Sequence, residues 1–279
     1  MRRPALLVCC ASLLAACDLG TLDSFSEEQA AEGTEEATLQ SRALWKFYEK
    51  GTDDNVKRAI DDVQGVVARA GELPLQVKIG DLTKDDLTLV GKTADPEAPQ
   101  GMLLIDDLDC TLDQVEKLVI AKNQTELYPD LYDAYSRTYV TNVQDLLTRK
   151  SATVVWRTDY TASAVSRTYV AGLTGGARRV PGANPLGGDV ILSRTVLDNP
   201  ANFIKGEDAA FDQDYQIELY YAVEPRKVRH FYALWRQFRI GGLTAESDLY
   251  VNLVLGNLRD FDVRTGILCR NDTPAPKFE

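Results

Sequence analysis

Tyr215-Gln216-Ile217-Glu218-Leu219-Tyr220-Tyr221-Ala222-Val223 is followed by Glu224-Pro225-Arg226-Lys227. The chain then continues Val228-Arg229-His230-Phe231-Tyr232-Ala233-Leu234-Trp235-Arg236-Gln237-Phe238-Arg239-Ile240. In the first segment Tyr215, Ile217, Leu219, Tyr221 and Val223 alternate with Gln216, Glu218 and Tyr220, the period of a half-buried strand. The Glu224–Lys227 break is a turn, and the second segment returns as a long antiparallel partner. That partner has Phe231 and Trp235 on one side and Tyr232, Leu234 and Phe238 on the other. Such a strand is expected to be covered on both faces.

Working outward, the same period of two begins near Ser136. It predicts strands at Ala152–Tyr160, Ala164–Ala171 and Val190–Leu197, with Val154, Trp156 and Tyr160 on one side of the first. Ser-Arg-Thr-Tyr-Val occurs at 136–140 and again at 166–170, but the flanks differ, so these are two similar strands and not a repeat. Gly172–Gly188 holds six glycines and Arg178-Arg179 and is expected to be a mobile surface loop. Further upstream, Met102-Leu103-Leu104-Ile105 is an apolar strand. Thr111-Leu112-Asp113-Gln114 fits a capping box, with Leu112, Val115, Leu118 and Val119 as the buried stripe. Tyr128-Pro129-Asp130 is expected to restart a short helix with Pro129 in its first turn.

The N-terminal part reads as helical. Thr38–Glu49 carries Leu39, Leu44, Trp45, Phe47 and Tyr48. Thr52 caps a second helix with Val56, Ala59, Ile60, Val63, Val66, Val67 and Ala70 on one stripe, stopped by Gly71 and Pro74. Extended pieces are expected at Leu75–Ile79 and Leu87–Val90. Downstream, Glu246–Phe261 suits either a strand or a helix. The Thr244 cap and the early Glu246 and Asp248 favour the helix.

From Met102 the order is therefore strand, helix, helix, meandering strands, helix. With Leu112-Asp113-Gln114-Val115-Glu116-Lys117-Leu118 and Leu127-Tyr128-Pro129, it resembles the helix-grip fold of the START and polyketide-cyclase-like superfamily. The resemblance covers roughly 160 residues, from Met102 to Asp262. It implies an α+β fold in which a curved antiparallel sheet wraps a C-terminal helix around an apolar cavity. Gly256 within that helix and the helical section up to Gly71 depart from the pattern.

The chain opens with a basic head, Met1-Arg2-Arg3, an apolar run from Ala5 to Leu14 and the exit Leu14-Ala15-Ala16-Cys17. This is an export signal, too short for a span of about 20 apolar residues. The exit resembles the lipobox of bacterial lipoproteins, which implies cleavage before Cys17 and a lipid on its sulfur, and so a membrane partner through that anchor. The expected organisation is a signal at 1–16, a disordered tether at 17–36, a helical section at 37–101 packed on the body, and an antiparallel α+β body at 102–279. The chain is expected to be exported and held in the cell envelope.

Acids outnumber bases by 42 to 31. Loss of Arg2 and Arg3 with the signal moves the net charge from −11 to −13. That balance argues against a nucleic-acid partner, whose phosphates need Lys and Arg. In the exported body Cys110 and Cys269 are the two cysteines besides Cys17, and a disulfide between them is expected in an oxidising compartment.

The single histidine, His230, excludes a metal site built from several imidazoles, and there is no Gly-x-Ser-x-Gly elbow or phosphate loop. Asp106-Asp107-Leu108-Asp109 lacks the spacing of a calcium loop and reads as a solvated strand exit. No metal or cofactor is expected. Arg194 shares a strand face with Val190, Leu192 and Val196. His230 and Arg236 share theirs with Val228, Tyr232, Leu234, Phe238 and Ile240. Charges on apolar faces are costly without a partner. Arg194, His230, Tyr232 and Arg236 are therefore the candidate polar anchors of a cavity able to hold an anionic head group. The resulting expectation is a non-catalytic lipoprotein binding a lipid or apolar small molecule. Its rivals are a cyclase-type enzyme using His230, Tyr232 and an acid for proton transfer, and an assembly protein with no cavity.

Overall fold

The computed structural model describes residues 29–164, 166–271 and 273–279. The expected signal, Cys17 and the tether up to residue 28 lie outside these residues. The described end of the tether is not loose. Lys78 donates its backbone N–H to the Ala31 carbonyl and Gly33 donates to the Lys78 carbonyl, each at 2.8 Å. Ala30 is buried.

Two helices follow. Thr34 caps α1 (Glu35–Lys50) by accepting from the Ala37 N–H, so this helix begins before the expected Thr38. Thr52 caps α2 (Asp53–Ala70) in a reciprocal box with Asn55. Val56, Ala59, Ile60, Val63 and Val66 of α2 are buried, and Gly71 ends the helix at φ 81°, a conformation that favours glycine.

The sheet is antiparallel throughout. Its strands are β1 (Leu75–Ile79), β2 (Gln100–Leu108), β3 (Ala134–Tyr139), β4 (Thr153–Ala164), β5 (Arg167–Val180), β6 (Val190–Leu197), β7 (Asn202–Lys205), β8 (Ala209–Glu224), β9 (Lys227–Ile240) and β10 (Leu243–Thr244). They run in the order β1-β2-β9-β8-β6-β5-β4-β3, with β10 beside β9 and β7 beside β5. Both faces are covered. Leu103, Ile105, Leu192, Ile217, Leu219, Phe231 and Trp235 pack against Leu44, Trp45, Ile60 and Val63 of the helix pair. On the inner face Met102, Leu104, Leu234 and Phe238 pack against Tyr250, Val251, Val254 and Leu258 of α7 (Asp248–Asn271). At one end α4 (Leu112–Ile120) adds Val115 and Leu118, and α6 (Val143–Leu147) adds Val143 and Leu146, to a third cluster with Trp156, Tyr220 and Leu268.

Four expectations are corrected. Leu87–Val90 is not extended, because Thr83 and Asp86 form a capping box that starts α3 (Lys84–Thr88). Pro129 does not open a helix. The short α5 (Gln124–Leu127) stops at Tyr128, the residue a following proline pushes toward extended backbone. Gly172–Val180 is strand and not loop. A Cβ at Gly175 would sit 2.5 Å from Trp156 Nε1, and one at Gly176 would sit 2.1 Å from Tyr48 Oη. These glycines thus admit large rings on opposite faces of β5. Finally, Ser247 and not Thr244 caps α7, accepting from the Tyr250 N–H, and the helix runs past Phe261 to Asn271.

A Cys110–Cys269 disulfide joins the corner before α4 to the end of α7, with Cα atoms 5.3 Å apart and a sequence separation of 159. Gln114 Nε2 donates to the Cys269 carbonyl at 2.8 Å, and Arg270 pairs with Asp109 at 2.8 Å across the same corner. Changing both cysteines to serine is expected to cost about 2–5 kcal/mol of unfolding free energy, because the unfolded chain regains a long loop. Denaturant unfolding of the double variant beside the wild type checks this. An unchanged midpoint would remove the bond from the account of stability.

Candidate ligand cavity

Alternation along a twice-covered strand sends every second residue of β8 to each face. Tyr215, Ile217, Leu219 and Tyr221 go to the helix pair. Asp214, Gln216, Glu218 and Tyr220 go to the inner face, where they line a cavity of about 150 Å³. β6 contributes Ser193 and Thr195, β9 contributes Tyr232 and Arg236, and β4 contributes Trp156, Thr158 and Tyr160. Asn257, Leu258 and Phe261 of α7 close the opposite side, with Leu118, Leu131 and Tyr132 from the segment around α4 and α5.

The polar floor is linked. Arg236 holds Asp214 with two contacts, Nη2–Oδ2 at 2.8 Å and Nε–Oδ1 at 3.2 Å, both side chains being buried. Gln216 Nε2 donates to Asp214 Oδ2 at 2.7 Å, and Tyr232 Oη donates to Gln216 Oε1 at 2.8 Å. Tyr220 donates to Glu218 Oε2. Behind Glu218 stands His230, fully buried, with Nδ1 2.8 Å from Asp262 Oδ1 of α7 and Nε2 3.5 Å from Glu218 Oε2. The Tyr220 ring stacks on the imidazole at 4.3 Å. Burial raises the phenols of Tyr132, Tyr160, Tyr220 and Tyr232, so they stay neutral.

A curved antiparallel sheet gripping a C-terminal helix over such a cavity is a helix grip. Several solved structures are similar to the chain. They include the human StarD13 (DLC2) lipid transfer and protein localization domain, 12% identical, covering 76% of this chain and 96% of that one at a TM-score of 0.38. Another is a STAR-related lipid transfer protein from Xanthomonas axonopodis, 9% identical, covering 62% and 90% at 0.40. A third is the Zhui aromatase/cyclase from Streptomyces sp. R1128, 10% identical, covering 63% and 97% at 0.36. No protein-family model matches the sequence, and no curated protein does.

Of the four candidate anchors, Tyr232 and Arg236 line the cavity and His230 lies one shell behind it, through Glu218 and Tyr220. Arg194 does not join them. It faces the helix pair, where its guanidinium pairs with Glu49 and lies 4.3 Å over the Tyr48 ring and 5.2 Å over Trp45. The shared apolar face of Val190, Leu192 and Val196 is thus the helix-packing face. Arg236, bound by Asp214, offers no unpaired cation to an anionic head group. The inner polar set Ser193, Thr195, Asp214, Gln216 and Glu218 was missed, because polar alternates on a half-buried strand read as solvent-facing. Among the described residues no cluster of three or more His, Cys, Asp or Glu side chains could hold a metal.

Burial alone would lower the His230 imidazole, but the Asp262 carboxylate, with Glu218, outweighs it and raises the group to about 9. The folded value exceeds the unfolded value of about 6.5. The resulting stabilisation is full below about pH 6.5 and is lost as pH rises through about 9. Unfolding free energy is expected to fall across this window in the wild type and to stay flatter in His230→Asn. Parallel pH curves for the two proteins would refute the protonated pair.

Proposed function

We propose that this chain is an exported lipoprotein, anchored through Cys17, whose grip cavity binds a small apolar or aromatic molecule without transforming it. The reading draws on the lipobox-like Leu14-Ala15-Ala16-Cys17 and, above all, on the cavity. Its walls are rings, from Tyr132, Trp156, Tyr160, Tyr232 and Phe261. Polar groups of β6, β8 and β9 stand on one side of these rings, where they can direct hydrogen bonds to an otherwise apolar ligand. At about 150 Å³ the space is on the scale that takes a single benzene-sized ring. It would receive a ring-sized molecule, or the end of a longer one.

The enzyme reading has one specific support. Glu218 is at once on the cavity wall and 3.5 Å from His230, which Asp262 backs. Proton transfer, if the cavity performs it, would run through Glu218 and not through Tyr232.

Two arms test the proposal. Growth with an alkyne fatty acid should label the wild type, and Cys17→Ser should be unlabelled and soluble. An unlabelled wild type would end the lipoprotein assignment. Native mass spectrometry of gently purified protein should show an added small-molecule mass that Ser193→Phe, which fills the cavity, abolishes. A filled variant that retains the mass would place the ligand elsewhere.

A further inference from the structure

The hydrogen-bonding groups of the cavity wall are unequally used. Arg236 is engaged by Asp214, and Gln216 is engaged at both ends of its amide. Glu218 receives the Tyr220 hydroxyl on Oε2, the same oxygen that faces His230. Its Oε1 has no partner among the described residues. Directly across the strand pair from Glu218 is Ser193. Ser193 is only 1% exposed, it lines the cavity, and its hydroxyl makes no hydrogen bond among the described residues. An acceptor carrying charge and an unengaged hydroxyl therefore sit side by side among aromatic rings. The other guanidinium of the wall, Arg137, lies on β3, four places from β8 in the sheet order. It donates to the Val119 carbonyl at 2.6 Å and to Tyr135 Oη at 2.8 Å, and it stacks 4.3 Å over Trp156.

We propose that the cavity selects a ring-sized aromatic molecule bearing a neutral hydrogen-bond donor, a phenol or an aromatic amine, which donates to Glu218 Oε1, and that it rejects carboxylates. This rests on the binding reading above and names its ligand class. A donor placed on the Glu218 carboxylate, whose side chain is mostly shielded from solvent, gains a charge-assisted bond. A carboxylate in the same place meets the like charge of Glu218. Ser193 can turn its hydroxyl to accept from or donate to the same substituent. His230 and Asp262 act from behind as positioning residues that hold Glu218 against the wall.

The test uses three probes of one size, 4-ethylphenol, ethylbenzene and 4-ethylbenzoate, titrated at pH 7 by calorimetry. The protein is the full chain carrying Cys17→Ser, purified without detergent. At this pH the phenol is neutral, since its pKa is about 10. The phenol is expected to bind at least roughly 10-fold more tightly than either other probe. Glu218→Gln should lower the ratio of phenol to ethylbenzene affinity by roughly 10-fold, with circular dichroism and thermal unfolding showing that the variant is folded. Benzoate binding as tightly as phenol overturns the proposal without any variant. An unchanged preference in Glu218→Gln overturns it too. If ethylbenzene binds and phenol gains nothing, the cavity reading survives and the ligand class falls. If none of the three binds, the cavity reading itself falls.

Discussion

A sheet buried on both faces must sort every strand between two interiors, and most of this structure follows from that constraint. On β8 and β9 the sorting is strict. The central outer alternates, Ile217, Leu219, Phe231, Ala233 and Trp235, are apolar and meet the stripe of α2 and the rings of α1. Trp45 lies edge-on to Tyr215 at 6.0 Å and to Trp235 at 6.3 Å, and its Nε1 donates to the Asp86 carbonyl at 2.9 Å. Each large side chain so buried contributes about 1.5–3 kcal/mol. With the outer interface apolar, the inner face can carry polar groups beside its own apolar cluster on α7.

The inner face uses that freedom in a way electrostatics allows. Every strongly buried charge there has an opposite partner: Arg236 with Asp214, His230 with Asp262. A lone charge at such depth would cost several kcal/mol, and a pair with good geometry recovers much of that. The two pairs have different reach. Arg236–Asp214 joins neighbouring strands, whereas His230–Asp262 crosses from the sheet to α7. With the Cys110–Cys269 link and the Tyr128–Thr265 contact at 3.0 Å, the latter fastens the gripping helix over the cavity.

Period two was legible wherever it persisted, so β4, β6, β8 and β9 follow from the alternation of residues such as Val154 and Trp156 or Ile217 and Leu219. The capped helices followed from Thr52 and Thr111. The sheet's continuation through Gly172–Val180 was hidden. Glycines usually mark loops, and the reason for these two lies in rings that arrive from β4 and from α1. Face assignment was the deeper failure. Tyr232 and Arg236 could be placed on the cavity from their own strand. Arg194 could not, since its neighbours Val190 and Leu192 are apolar on either interior. Gln216 and Glu218 look like solvent-facing residues until the second cover of the sheet is known. One strand's alternation says that two faces differ, not which of them meets water.

The attachment of α1 also bears on where the smallest independently folding piece of this chain begins. Arg178 of β5 donates to the Phe47 and Gly51 carbonyls, each at 2.8 Å, so a strand residue finishes the end of a helix more than a hundred positions earlier. Ala31 and Gly33 are stitched to β1 in the same way. A fragment cut at Met102, where the grip pattern starts, would keep the cavity residues of the strands. It would also bare the whole apolar outer face of the sheet to water and invite association through it. The helix pair is therefore not a module that recombination could exchange or discard. It is half of the sheet's interior, and the grip is incomplete without α1 and α2.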